Sequence, residues 1–120
     1  MSTIKSTLGA LCSNDFVRSG LIITKDGMII ESALENISEA ETLGAFMSQI
    51  VLTIRNSLSE LGHKDFTRYV IQSSKGQIFL MDLGQSVMIA LTDLDVDIAK
   101  VNIALFQAAT EIKKSGRLNI

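Results

Sequence analysis

The sequence predicts an α+β domain: a five-stranded, mostly antiparallel sheet with helices on both faces. Three observations predict it. A long central stretch, Ser38 to Leu61, repeats apolar residues at helical spacing, and a shorter stretch of that kind stands near each end of the chain. Between them lie short apolar runs separated by tight turns, Lys25-Asp26-Gly27, Ser74-Lys75-Gly76 and Gly84-Gln85. Such turns join neighbouring strands antiparallel. Finally, Ile78 to Met81 and Val87 to Leu91 are apolar at every position. Strands of that kind are covered on both faces. The expected order is helix, two strands, helix, three strands, helix, in one domain spanning residues 1–120.

Ser2 to Leu11 is expected as a short helix, capped by Ser2 or Thr3, with Ile4, Leu8 and Leu11 on one face. Ser13-Asn14-Asp15 ends it. Phe16 to Thr24 reads as the first strand, centred on Leu21-Ile22-Ile23, and Met28 to Ala33 as the second. The central helix follows. Ser38 and Glu41 have the spacing of a capping box, and Glu39 and Glu41 place negative charge at the positive end of the helix dipole. Gly62 is placed to end the helix in a left-handed conformation. Leu43, Met47, Ile50, Ile54, Leu58 and Leu61 form its apolar stripe, widened by Ala40, Phe46 and Val51. Phe66 to Ser73 is a third strand in which Arg68 and Gln72 share a face with Phe66 and Val70, a mixture that suits a sheet edge. Gln77 to Leu83 and Ser86 to Thr92 are the fourth and fifth. The last helix is expected to start with Asp93 or Asp95 as cap, carry Ile98, Val101, Leu105, Ala108 and Ile112 inward, and end near Lys113-Lys114-Ser115-Gly116.

Composition narrows the function classes. With 47% hydrophobic and 20% charged residues, the chain has the makings of a packed core rather than a disordered segment. A net charge of −2 without a long basic run argues against a nucleic-acid or anionic-membrane surface. No apolar run approaches the roughly 20 residues that span a bilayer, and no signal-peptide pattern opens the sequence. Cys12 is the only cysteine, so no internal disulfide forms, and a cytoplasmic setting is the simplest expectation.

The search for chemistry returns little. Ser73-Ser74-Lys75-Gly76 lacks the Gly-Lys-Ser/Thr order of a phosphate-binding loop and reads as a hairpin turn. Asp93, Asp95 and Asp97 alternate like hard-metal ligands, but the Gly and Glu of a calcium loop are out of register, so helix capping is the expectation. His63 has no partner for acid–base work, and Cys12 reads as a small apolar packing residue. No catalytic residue, metal site or cofactor is therefore expected.

Four stretches together resemble the roadblock family, the dynein-light-chain-like proteins that include bacterial and archaeal regulators of Ras-like GTPases. They are the hairpin Gly20 to Ser32, the helix Glu39 to Gly62, the hairpin Tyr69 to Gly84, and Val87 to Leu105 with Thr92-Asp93 after its strand. The first helix is shorter than is usual there. The resemblance implies the roadblock/profilin-like fold and a homodimer, or a heterodimer with a related chain. In such dimers central helices pack together and third strands pair at their edges. The interface it implies comprises Phe46, Met47, Ile50, Ile54, Phe66, Arg68, Val70 and Gln72. It further implies a non-catalytic adaptor that binds a Ras-like small GTPase and stimulates its GTP hydrolysis or scaffolds it. The contact surface would be the outer face of the paired helices: Ala45, Ser48, Gln49, Leu52, Arg55, Asn56 and Ser59. The alternative is a small-ligand sensor of the PAS or GAF type, which needs a cavity that Gly20, Thr24 and the methionines could line.

Overall fold

Local signals nucleate each element, and the structure, a computed structural model, describes residues 3–33, 37–62 and 68–114. Thr3 caps α1 (Ile4–Cys12): its Oγ1 accepts from the Ser6 backbone N–H at 3.0 Å, and Ser6 Oγ accepts from the Thr3 N–H at 2.9 Å. This reciprocal pair satisfies two donors that the helix leaves over. The remaining elements are β1 (Ser19–Thr24), β2 (Ile29–Ser32), α2 (Ile37–Glu60), β3 (Arg68–Gln72), β4 (Gln77–Asp82), β5 (Ser86–Thr92) and α3 (Ile98–Lys114). Their order and type match the sequence expectation, and the fold is α+β.

The sheet order is β2-β1-β5-β4-β3, with every neighbouring pair antiparallel. β1 and β5 are central, and Leu21, Ile22, Ile23, Val87, Met88, Ile89 and Ala90 are all fully buried. Alternate residues face opposite cores. Ile22, Phe79, Met81, Met88 and Ala90 meet α1 and α3 on one face. Leu21, Ile23, Leu80, Val87 and Ile89 meet Met47 and Val51 of α2 on the other. Each fully buried Ile or Leu contributes about 1.5–3 kcal/mol of transfer free energy, so these two central strands anchor the fold.

Several boundaries depart from expectation. β1 begins at Ser19 rather than Phe16. The Asn14 side chain donates to the Leu11 carbonyl, and the Val17 N–H donates to the Asn14 carbonyl, which holds a turn where the apolar pattern suggested a strand. Phe16 and Val17 still pack into the core under α1 and α3. α2 already includes Ile37, so Ser38 lies in its first turn and is not the cap. α3 is capped by Asp97, not by Asp93 or Asp95: Asp97 Oδ1 accepts from the Ala99 N–H at 3.0 Å. Asp93 instead pairs with Arg18 at 3.1 Å. Ile98 is 46% exposed and does not join the core stripe of Val101, Leu105, Ala108 and Ile112. His63, Phe66 and Thr67, and the expected helix end at Ser115-Gly116, lie outside the described residues.

Two glycines set the height of α2 above the sheet. A Cβ on Gly44 would meet Ile29 Cδ1 at 3.0 Å and the Gly27 carbonyl at 3.1 Å. Gly27 has φ +97°, and a Cβ there would meet Ser48 Oγ at 2.8 Å. The helix thus sits directly on the β1–β2 hairpin because neither residue has a side chain. Gly62, at φ +87°, follows α2 as expected of a left-handed helix end.

Candidate interaction surfaces

α2 turns one line of residues into the sheet. Ala40, Gly44, Met47 and Val51 are buried there. Beside that line runs a second that the chain does not cover: Leu43, Ile50 and Ile54 are half-buried and Phe46 is 60% exposed. Phe46, Gln49, Ile50, Thr53 and Ile54 line one shallow open depression, and Phe46 with Ser38, Glu39, Thr42 and Leu43 lines the next. The predicted stripe therefore splits into an inner and an outer strip. Met47, read as an interface residue, belongs to the inner strip and to the protomer's own core. Leu61 is 74% exposed.

β3 is the end strand of the sheet. Arg68, Val70 and Gln72 are exposed and stand opposite Met81, Phe79 and Gln77, so they point to the face that α1 and α3 occupy. Tyr69 and Ile71 point to the α2 face and are half-buried. Burial pushes the Tyr69 phenol above its ordinary value, Arg55 acts against that shift, and Asp82 adds to it. Asp82 also pairs with Lys25 at 3.5 Å.

The solvent side of α2 carries Ala45, Gln49, Leu52, Asn56 and Ser59, all exposed, with Leu52 at 57%. Ser48 and Arg55 are half-buried at the margin of that line, Ser48 against the Gly27 turn and Arg55 towards β3. The seven residues therefore lie on one side of one helix, and five of them are open to a partner.

Among the described residues, no three His, Cys, Asp or Glu side chains group closely enough to hold a metal ion. Cys12 is half-buried beside Gly20, and burial pushes its thiol up, away from the reactive thiolate. Ser73 to Gly76 forms the β3–β4 turn, closed by the Ser73 N–H donating to the Gly76 carbonyl at 2.8 Å. Met47, Met81 and Met88 fill the two cores, while Met28 is 66% exposed, so the four described methionines do not line one cavity. Among the described residues, no helix is long and apolar enough to cross a membrane.

Sequence reading missed one feature. Ile103 and Phe106, on α3, are 60% and 68% exposed. The signal was present, since both fall outside the helix's core stripe.

Comparison with known proteins resolves the family. A model of the Roadblock/LC7 domain matches residues 4–93. The chain belongs to the Roadblock/LC7 family. It is 30% identical over 112 residues to the uncharacterised protein MJ0714 of Methanocaldococcus jannaschii, an alignment covering 93% of this chain and 95% of that protein. The crystal structure of a Roadblock/LC7 domain from Streptomyces avermitilis superposes with a TM-score of 0.87 at 14% identity, covering 95% of this chain and 98% of the other. Myxococcus xanthus MglB superposes with a TM-score of 0.85 at 18% identity, covering 92% of each chain. At such identities the structural likeness speaks for the fold. The Roadblock/LC7 match ends at residue 93, just past β5, so the matched span does not include α3.

Proposed function

We propose that this Roadblock/LC7 domain is a non-catalytic, cytoplasmic adaptor that acts as a dimer on a Ras-like small GTPase. The observation that carries the reading is the outer strip of α2. Leu43, Phe46, Ile50 and Ile54 leave apolar surface open along the helix, on the same side of the sheet as the half-buried Tyr69 and Ile71 of an end strand. A second copy, or a related chain, that lays its α2 along this strip and its β3 against this edge removes both from water. Arg68, Val70 and Gln72 then lie at the strand junction.

Pairing the helices places their solvent sides together and doubles the surface formed by Ala45, Gln49, Leu52, Asn56 and Ser59, with Ser48 and Arg55 at its edge. The partner fitted to it is a Ras-like GTPase, as in the roadblock family. None of these surface residues is a carboxylate, a histidine or a cysteine. The contribution of this surface to GTP hydrolysis is to hold the partner's own switch loops in place. Arg55, half-buried at the margin of the surface, is a positioning residue in this reading and not a finger inserted beside the nucleotide.

The test is GTP turnover and binding by Ras-like GTPases of the same genome, with and without this protein. Leu52→Asp is expected to weaken binding by at least about tenfold, since a carboxylate buried opposite an apolar surface is strongly disfavoured. Faster turnover marks an activator, and binding without faster turnover marks a scaffold. If no such GTPase binds, the reading fails.

A further inference from the structure

The face of α3 that carries Ile103 and Phe106 is on the opposite side of the sheet from α2, so the strip on α2 cannot cover it. We infer that this face is a second self-association surface, at which two copies of the chain pack α3 against α3 antiparallel about a two-fold axis at Phe106.

Three observations fit a second copy. First, Ala99, Ile103, Phe106 and Thr110 recur at spacings of four, three and four, the seam of a helix pair. Ala99, Ile103 and Phe106 are exposed, and Thr110 is half-buried. Second, the patch is centred: α3 runs from Ile98 to Lys114, so Phe106 has eight helical residues on either side. A two-fold axis there sets Phe106 against itself and leaves no helix unmatched. Third, the charges at the ends of the helix are opposite. Asp95 and Asp97 precede it, and Lys113 and Lys114 form its last turn. Antiparallel packing sets the lysines of each copy beside the aspartates of the other at both ends, whereas parallel packing sets like charges together. The helix dipoles favour the same orientation.

The contact is isologous, with the same residues on both sides. A single pair of helices about 25 Å long is a small interface, so association is concentration-dependent. Combined with pairing through α2, it joins dimers into larger assemblies. Without that pairing it still makes a dimer, so the two surfaces are separable by experiment.

The experiment is sedimentation of the full chain over a wide concentration range, in the unmodified protein and in a Phe46→Asp background that disables the α2 strip. Phe106→Asp, at a position too exposed to unfold the helix, is expected to weaken association by roughly 30-fold or more in both backgrounds with an unchanged circular dichroism spectrum. Lys113→Glu with Lys114→Glu is expected to weaken it about 3- to 10-fold, and adding Asp95→Lys to restore it. Phe106→Cys is expected to oxidise to a covalent dimer, while Gln107→Cys, which turns towards α1, does not; the unmodified chain with its half-buried Cys12 is the blank. Association that ignores Phe106 in both backgrounds overturns the inference, and so does equal cross-linking from Gln107→Cys.

Discussion

The two faces of the sheet are finished to different degrees. On one, α1 and α3 lie side by side, and Phe79, Met81, Met88 and Ala90 beneath them are at most 6% exposed. On the other, α2 lies alone. It seals Leu21, Ile23, Leu80, Val87 and Ile89, but leaves Ile71, Ile78 and Leu91 half-buried and its own outer strip open. The first face closes within one chain over β1, β4 and β5, though not over Val70 at the β3 edge or on the back of α3. The second is the surface of half a layer. The contrast separates residues that hold the chain together from residues that it leaves exposed, although both kinds are apolar.

Substitutions can break or sharpen that contrast. The largest effect is expected from Phe79→Ala, on the closed face. It removes a fully buried ring and should cost about 3–5 kcal/mol, read as a fall in the urea midpoint that is the same at every protein concentration. Gly44→Ala, on the open face, should cost less, about 1–3 kcal/mol, because its new Cβ presses on Ile29 and the Gly27 carbonyl while gaining helix propensity. It lifts α2 from the hairpin, so it should also weaken dimerisation in light scattering. Phe46→Asp should change the stability of the isolated protomer by within about 0.5 kcal/mol. Its signature is instead a weaker concentration dependence of the unfolding midpoint, reduced to what the α3 contact contributes. A midpoint that never depends on concentration in the unmodified protein would leave the open face without a partner copy.

The smallest effect belongs to Cys12. Burial raises its thiol pKa above that of the unfolded chain. The unfolded state therefore gives up this proton first. The stability linked to Cys12 is fully present below the unfolded pKa and is lost as pH rises through the folded one. Cys12→Ala should flatten the alkaline side of the stability profile and leave the neutral region nearly unchanged. Slow alkylation of Cys12 at neutral pH checks the same burial independently.

The sequence by itself determined the kinds and order of the elements, because each rests on local signals: the repeats of helix and strand, the Gly-containing turns, and the glycine after α2. It also determined that the central strands need cover on both sides, since Val87 to Leu91 has no polar alternation. The open strip of α2 and the end position of β3 were legible as a broad apolar helix and a polar edge strand.

Only the tertiary structure decided the rest. β5 sits between β1 and β4, a pairing that no local pattern encodes. Phe16 and Val17 are core residues without being strand, because packing against α1 and α3 and forming a ladder leave the same apolar trace. Asp97 caps α3 rather than its two acidic neighbours, a choice made by where the chain leaves β5. Above all, the close approach of Gly44 to Gly27 rotates α2 so that Met47 faces the core and Phe46 faces out. Periodicity identifies a face of a helix but not its azimuth on the sheet, and here a few tens of degrees of rotation separate the residue that stabilises the protomer from the one left open beside it.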